Sequence, residues 1–105
     1  MKPFTSREVA FIGLGSNLNN PKRNVNEALK DISQLEHVQL IAASSLYRSA
    51  PVGIVEQPEF INAVCKISVD MGPDSLLHCL FNIEAKFGRV RTIRNGPRII
   101  DLDVL

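Results

Sequence analysis

A chain of 105 residues, 45% of them hydrophobic, supports one domain around a single core and excludes a two-domain architecture. Twelve basic and eleven acidic side chains leave a formal net charge of +1, so no global field draws the chain to nucleic acid or to an acidic membrane surface. One tyrosine, no tryptophan and no apolar run near the roughly 20 residues a bilayer requires argue against a base-stacking platform and a spanning helix. MKPFTSREV at the start lacks the apolar stretch of a signal peptide, so a cytoplasmic protein with neither nucleic-acid nor membrane partners is expected.

In chain order, VAFIGL at residues 9–14 is a short apolar run that ends at Gly13, Gly15, Ser16 and Asn17, the pattern of a buried strand followed by a loop. Asn20 before Pro21 predicts a helix start, with asparagine capping the free amides and proline at the first helical position. Val25, Ala28, Leu29, Ile32 and Leu35 then recur at helical spacing and give that helix one apolar face. Residues 38–47 are β-branched and small, and residues 60–69 alternate, with Ile61, Ala63, Cys65, Ile67 and Val69 on one side, so both read as strands. Between them SAPVGIVEQP, residues 49–58, holds two prolines and a glycine and predicts a long irregular loop. A second helix opens at Gly72-Pro73, carries the stripe Leu76, Leu80, Ile83 and Phe87, and stops at Gly88. Residues 99–105 alternate again, with Ile100, Leu102 and Val104 inward and Asp101 and Asp103 on the other face. The resulting order, β-α-β-β-α-β, predicts an α+β, ferredoxin-like sandwich: one antiparallel sheet of four core strands with two helices on one face.

That fold hosts many functions, so the site must decide. Asp101 and Asp103 share one strand face with α-carbons roughly 6.5 to 7 Å apart. Hard oxygen donors so placed suit magnesium that also holds phosphate. An exposed acidic pair on an edge strand would look the same, but four of the seven arginines, Arg89, Arg91, Arg94 and Arg98, precede the pair on a glycine- and proline-containing loop. Metal ligands beside mobile guanidiniums point to phosphoryl transfer from a nucleotide. Gly13 and Gly15 belong to neither a dinucleotide fingerprint nor a P-loop, because position 18 is leucine and no Lys-Ser or Lys-Thr follows. Glu84 borders the apolar stripe of the second helix, and periodicity alone leaves it equally an ordinary surface glutamate. Asn62 shares a strand face with Phe60 and Val64, where an amide beside a ring could read a flat heterocycle or simply pack. His37 and His78 have no partner at ligand spacing and read as structural, and Cys65 and Cys79 read as reduced, buried core residues.

GLGSNL at 13–18, SSLYRSAPVG at 44–53, QPEFINAV at 57–64, IEAKFGRVR at 83–91 and NGPRIIDLDVL at 95–105 together resemble the hydroxymethyl-dihydropterin pyrophosphokinase family of folate biosynthesis, nearly end to end. The resemblance implies transfer of pyrophosphate from ATP to a reduced pterin alcohol, with AMP leaving and two magnesium ions held by Asp101 and Asp103. It assigns Arg89 and Arg98 to catalysis and Glu84, Arg91 and Val104 to ATP. Ser49, Ala50, Val52, Phe60 and Asn62 fall to the pterin. It further implies a single pyrophosphokinase-like domain over residues 1–105, with residues 1–8 a tail. The chain departs from the family at Asn95, where tryptophan is usual, at Ala50, where proline is common, and in an arginine-rich loop one residue shorter. The family also continues past the fourth core strand. A monomer is implied for the full-length family, whereas a shortened chain exposes apolar surface that favours self-association. The alternative to turnover is a catalytically incomplete fragment that binds nucleotide or pterin.

Overall fold

The computed structural model describes residues 7–51, 57–88 and 99–105. Val52, Arg89, Arg91, Arg94, Asn95 and Arg98 lie outside the described residues. Five strands and two helices follow one another as β1 (Glu8–Ser16), α1 (Pro21–Ser33), β2 (Val38–Ala43), β3 (Tyr47–Ser49), β4 (Phe60–Val69), α2 (Pro73–Lys86) and β5 (Asp101–Val104). All pairings are antiparallel, in the order β2-β4-β1-β5, with β3 also paired to β4. With β2 and β3 taken as the two parts of one expected strand, this is the ferredoxin-like arrangement predicted from the element order.

The helices cover one face of the sheet. Alternation sends Ile12 and Leu14 of β1, Ala63, Cys65, Ile67 and Val69 of β4, and Leu102 of β5 toward them, where all are buried. Val25, Ala28 and Ile32 of α1 and Leu76, Leu80 and Ile83 of α2 complete the core, with Phe87 partly buried against it. The two helices are joined at their exposed edge by Lys86, whose Nζ lies 3.1 Å from both carboxylate oxygens of Asp31. Gly88 closes the end of α2 at φ 74°, a left-handed position that glycine takes without steric cost.

Five details differ from the sequence reading. The expected strand 38–47 is two, because Ser44 interrupts it: its hydroxyl accepts the Val64 amide at 2.9 Å while its own amide donates to the Val64 carbonyl at 2.8 Å. The tail is shorter than residues 1–8, since Glu8 already pairs with Val69 and Arg7 Nε donates to the Ser68 hydroxyl at 2.8 Å. Asn20 does not cap α1 through its side chain; it sits at φ 66°, ψ 69°, in the left-handed region. Cys79 is only partly buried, being turned about 100° from the inward Leu80. Val104 follows the inward alternation but remains 42% exposed, so it is not packed as expected. Among the described residues no helix is long and apolar enough to cross a membrane.

Candidate active site

The sheet face away from the helices carries a pocket of about 320 Å³ whose lining includes Gly13, Gly15, Tyr47, Ser49, Ala50, Phe60, Asn62, Asp101 and Asp103. Its geometry follows from strand register. In one cross-strand row Tyr47 of β3 stands opposite Asn62 of β4, Asn62 opposite Gly15 of β1, and Gly15 opposite Asp101 of β5. In the next, Val64 stands opposite Gly13 and Gly13 opposite Asp103. Glycine in the middle of each row keeps the floor low between β4, the amide wall, and β5, the carboxylate wall, two strand spacings or about 10 Å apart. The Asn62 amide oxygen lies over Gly15 and the Leu105 side chain over Gly13. Sequence spacing alone does not reveal this, because the register of β1 against both neighbours joins segments far apart in the chain.

Each wall is held by polar contacts. Asn62 Nδ2 donates to Ser49 Oγ at 2.8 Å and to the Tyr47 carbonyl at 3.3 Å. On the other side, the Leu102 amide, between the two aspartates, donates to Glu84 Oε2 at 2.9 Å. Glu84 is 4% exposed and lies beneath β5 on the helix side, outside the pocket lining, as does Val104. The structure therefore brings together Ser49, Ala50, Phe60, Asn62, Asp101 and Asp103 and sets Glu84 and Val104 behind them.

Two buried asparagines that pattern reading passed over fix the loops around the site. Asn17 Nδ2 donates to Gln57 Oε1 at 2.9 Å and to the Pro58 carbonyl at 3.0 Å, tying the end of β1 to the approach to β4. Asn24 Nδ2 reaches the carbonyls of Leu18 at 2.9 Å, Asn19 at 3.0 Å and Ile99 at 3.4 Å, linking the turn before α1 to the approach to β5. The nearest available signal is their position, Asn17 inside GLGSNL and Asn24 beside the apolar face of α1. Neither His37, whose exposed ring lies 3.8 Å from Asp70, nor the exposed His78 reaches the pocket.

Compared with known proteins, residues 11–105 match the family model described as 7,8-dihydro-6-hydroxymethylpterin-pyrophosphokinase. The chain is similar to the 2-amino-4-hydroxy-6-hydroxymethyldihydropteridine pyrophosphokinase of Haemophilus influenzae, at 49% identity over 96 residues that cover 91% of this chain and 60% of that protein. The protein of the same name from Pseudomonas aeruginosa is 42% identical over 95 residues, covering 90% of this chain and 59% of its own length. That from Pseudomonas putida is 42% identical over 96 residues, 91% of this chain and 79% of its own. With a family match over nearly all of its length, the chain belongs to the 7,8-dihydro-6-hydroxymethylpterin-pyrophosphokinase family.

Proposed function

We propose that this protein binds ATP and 6-hydroxymethyl-7,8-dihydropterin side by side and transfers pyrophosphate between them in folate synthesis. The observation that supports the reading is the row Asn62, Gly15, Asp101, which sets an amide and a carboxylate on either side of a glycine in one pocket. The names of the relatives, pyrophosphokinases of a hydroxymethyldihydropteridine, supply the substrate class.

In this reading the pterin ring lies against Phe60 and Asn62, with Ser49, Ala50 and Val52 bordering it. Its hydroxymethyl oxygen is thereby oriented toward the aspartate wall. That oxygen gives up its proton to water and bonds to the β-phosphorus of ATP as the bond from the β-phosphorus to the α-phosphate oxygen breaks, and AMP leaves. Arg89 and Arg98 assist the transfer by offsetting charge on the moving group, and Arg91 and Val104 bind the nucleotide. Glu84 supports the nucleotide side by holding β5 in place.

Asp101 and Asp103 fit magnesium by the chemistry of their donors. They are two hard carboxylates on one strand face, and among the described residues no group of three or more His, Cys, Asp or Glu side chains forms a closed cage. An ion that takes one or two carboxylates and completes its shell with phosphate and water suits such a pair. Two magnesium ions held there with ATP would neutralise phosphate charge during the transfer. The full-length enzyme acts as a cytoplasmic monomer on small molecules, without nucleic-acid or membrane partners, whereas a chain of this length self-associates through the apolar surface it exposes.

The test supplies ATP, magnesium and 6-hydroxymethyl-7,8-dihydropterin and measures AMP. Magnesium-dependent AMP formation, lost in Asp101→Asn and Asp103→Asn variants that keep the wild-type thermal transition, is the expected result. Calorimetric binding of either substrate without any AMP would reject turnover and leave a ligand-binding module.

A further inference from the structure

We propose that Ser49 and Gly15 are positioning residues that fix which end of the Asn62 amide faces the pocket, making that wall a hydrogen-bond acceptor. The inference rests on the pteridine reading of the pocket for its ligand, but its geometry stands apart from it. Asn62 Nδ2 has three oxygens near it: Ser49 Oγ at 2.8 Å, the Tyr47 carbonyl at 3.3 Å and the Phe60 carbonyl at 3.5 Å. A hydroxyl can donate or accept, but carbonyls only accept. Turning the amide over would set its oxygen against both carbonyls, so the nitrogen belongs on that side.

The amide oxygen is therefore directed over the floor. It lies 3.2 Å from where a Cβ would stand on Gly15, and Phe60 Cδ1 lies 3.6 Å from the same point. An alanine at Gly15 would crowd the acceptor and press toward the ring, so the missing side chain is what allows the amide to lie low and present its oxygen. Ser49 supplies the shortest of the three contacts and is the one a single substitution can remove.

A ligand edge meeting this wall must bring an N–H. The 2-amino and N3–H edge of a pterin brings two donors, whereas a lumazine keeps the N3–H but sets an oxo acceptor where the 2-amino donor stood. An acceptor wall that meets the 2-oxo group in place of the 2-amino donor loses that hydrogen bond and faces a second acceptor, which lowers affinity by about tenfold. A Ser49 that acted only through general stability would weaken both ligands alike. One that orients Asn62 changes the ratio between them.

The experiment titrates 6-hydroxymethylpterin and 6-hydroxymethyllumazine by fluorescence against the wild type, Ser49→Ala, Ser49→Thr and Gly15→Ala. In parallel, the Asn62 side-chain amide protons of the ligand-free proteins are followed by nitrogen-resolved NMR. Wild type should prefer the pterin by about tenfold, and Ser49→Thr should retain that preference. Ser49→Ala and Gly15→Ala should bring the ratio several-fold closer to one. The Asn62 amide signals, well separated and slow to exchange in wild type and Ser49→Thr, should shift and exchange faster in Ser49→Ala. Equal affinity of the wild type for the two pteridines, or an unchanged ratio in Ser49→Ala, overturns the proposal. So do unchanged amide signals in Ser49→Ala. If the wild type binds neither pteridine, the ligand reading fails, and the amide signals alone then decide whether Ser49 positions Asn62.

Discussion

Leu102 donates its amide to the buried Glu84 carboxylate from 2.9 Å, so a side chain of α2 ties the helix layer to the strand that carries both aspartates. A hydrogen bond to a charged acceptor contributes about 1.5–3 kcal/mol, and removing the acceptor also strands a buried amide. Glu84→Ala is accordingly expected to lower unfolding stability by about 2 kcal/mol, while Glu84→Gln, which still offers an oxygen, loses less. Denaturant midpoints measure both, and an alanine variant within about 0.5 kcal/mol of wild type would refute the role. Cys65 makes a second residue-scale prediction. Burial pushes its thiol above the ordinary 9.0, against a smaller lowering by the backbone at Ile12. The folded chain thus keeps a proton that the unfolded chain releases first. Its contribution is fully present below the unfolded pKa and is lost as pH rises through that value toward the folded one. Stability should fall with increasing alkalinity above about pH 9, less steeply in Cys65→Ala once its lower baseline is subtracted, and an identical slope in the two proteins would remove the cause. The partly buried Cys79 should be alkylated before Cys65 in the folded protein.

At the scale of elements, the start of α1 separates two accounts of Asn20. An asparagine acting as an N-cap would be replaced by serine with little change. The observed residue has φ 66° and no side-chain cap, so what it supplies is tolerance of the left-handed region. Asn20→Gly should leave the thermal midpoint unchanged or raise it, and Asn20→Ser should cost about 1 kcal/mol; the reverse order would restore the capping account. The same element shows what the sequence could reveal. The apolar spacing of Val25, Ala28 and Ile32, the proline at the start of each helix and the alternation of β4 were legible because each is a local pattern imposed by one buried face. The conformation of Asn20, the interruption at Ser44 and the burial of Glu84 were not. Each is decided by a partner far along the chain or by backbone torsions that several residue types can adopt. The candidate site divides the same way: Asp101 and Asp103 announce a shared face by spacing, whereas their position opposite Gly15 and Asn62 depends on strand register.

The whole molecule is a two-layer fold whose helices protect one sheet face, while the pocket is assembled on the other from β1, β3, β4 and β5. No single element holds the site. Among the described residues β5 is the edge strand beside β1, and the amide wall belongs to β4 and β3. Ligands bound on the two walls would therefore stabilise the folded chain as a whole, each by mass action, and they can be separated experimentally. At one hundred times its dissociation constant a ligand adds about 2.7 kcal/mol, which for a domain of this size raises the thermal midpoint by roughly ten degrees. A non-hydrolysable ATP analogue with magnesium and 6-hydroxymethylpterin should each produce such a rise. A chelator should abolish the nucleotide shift and leave the pterin shift. Replacing both aspartates by asparagine should have the same selective effect, because the carboxylates are the donors proposed for the metal. Asn62→Ala should do the opposite, reducing the pterin shift while preserving the nucleotide shift. Persistence of the full nucleotide shift in chelator, or loss of both shifts in either set of variants with the unliganded midpoint unchanged, would reject the division of the pocket into a metal-nucleotide wall and a pterin wall.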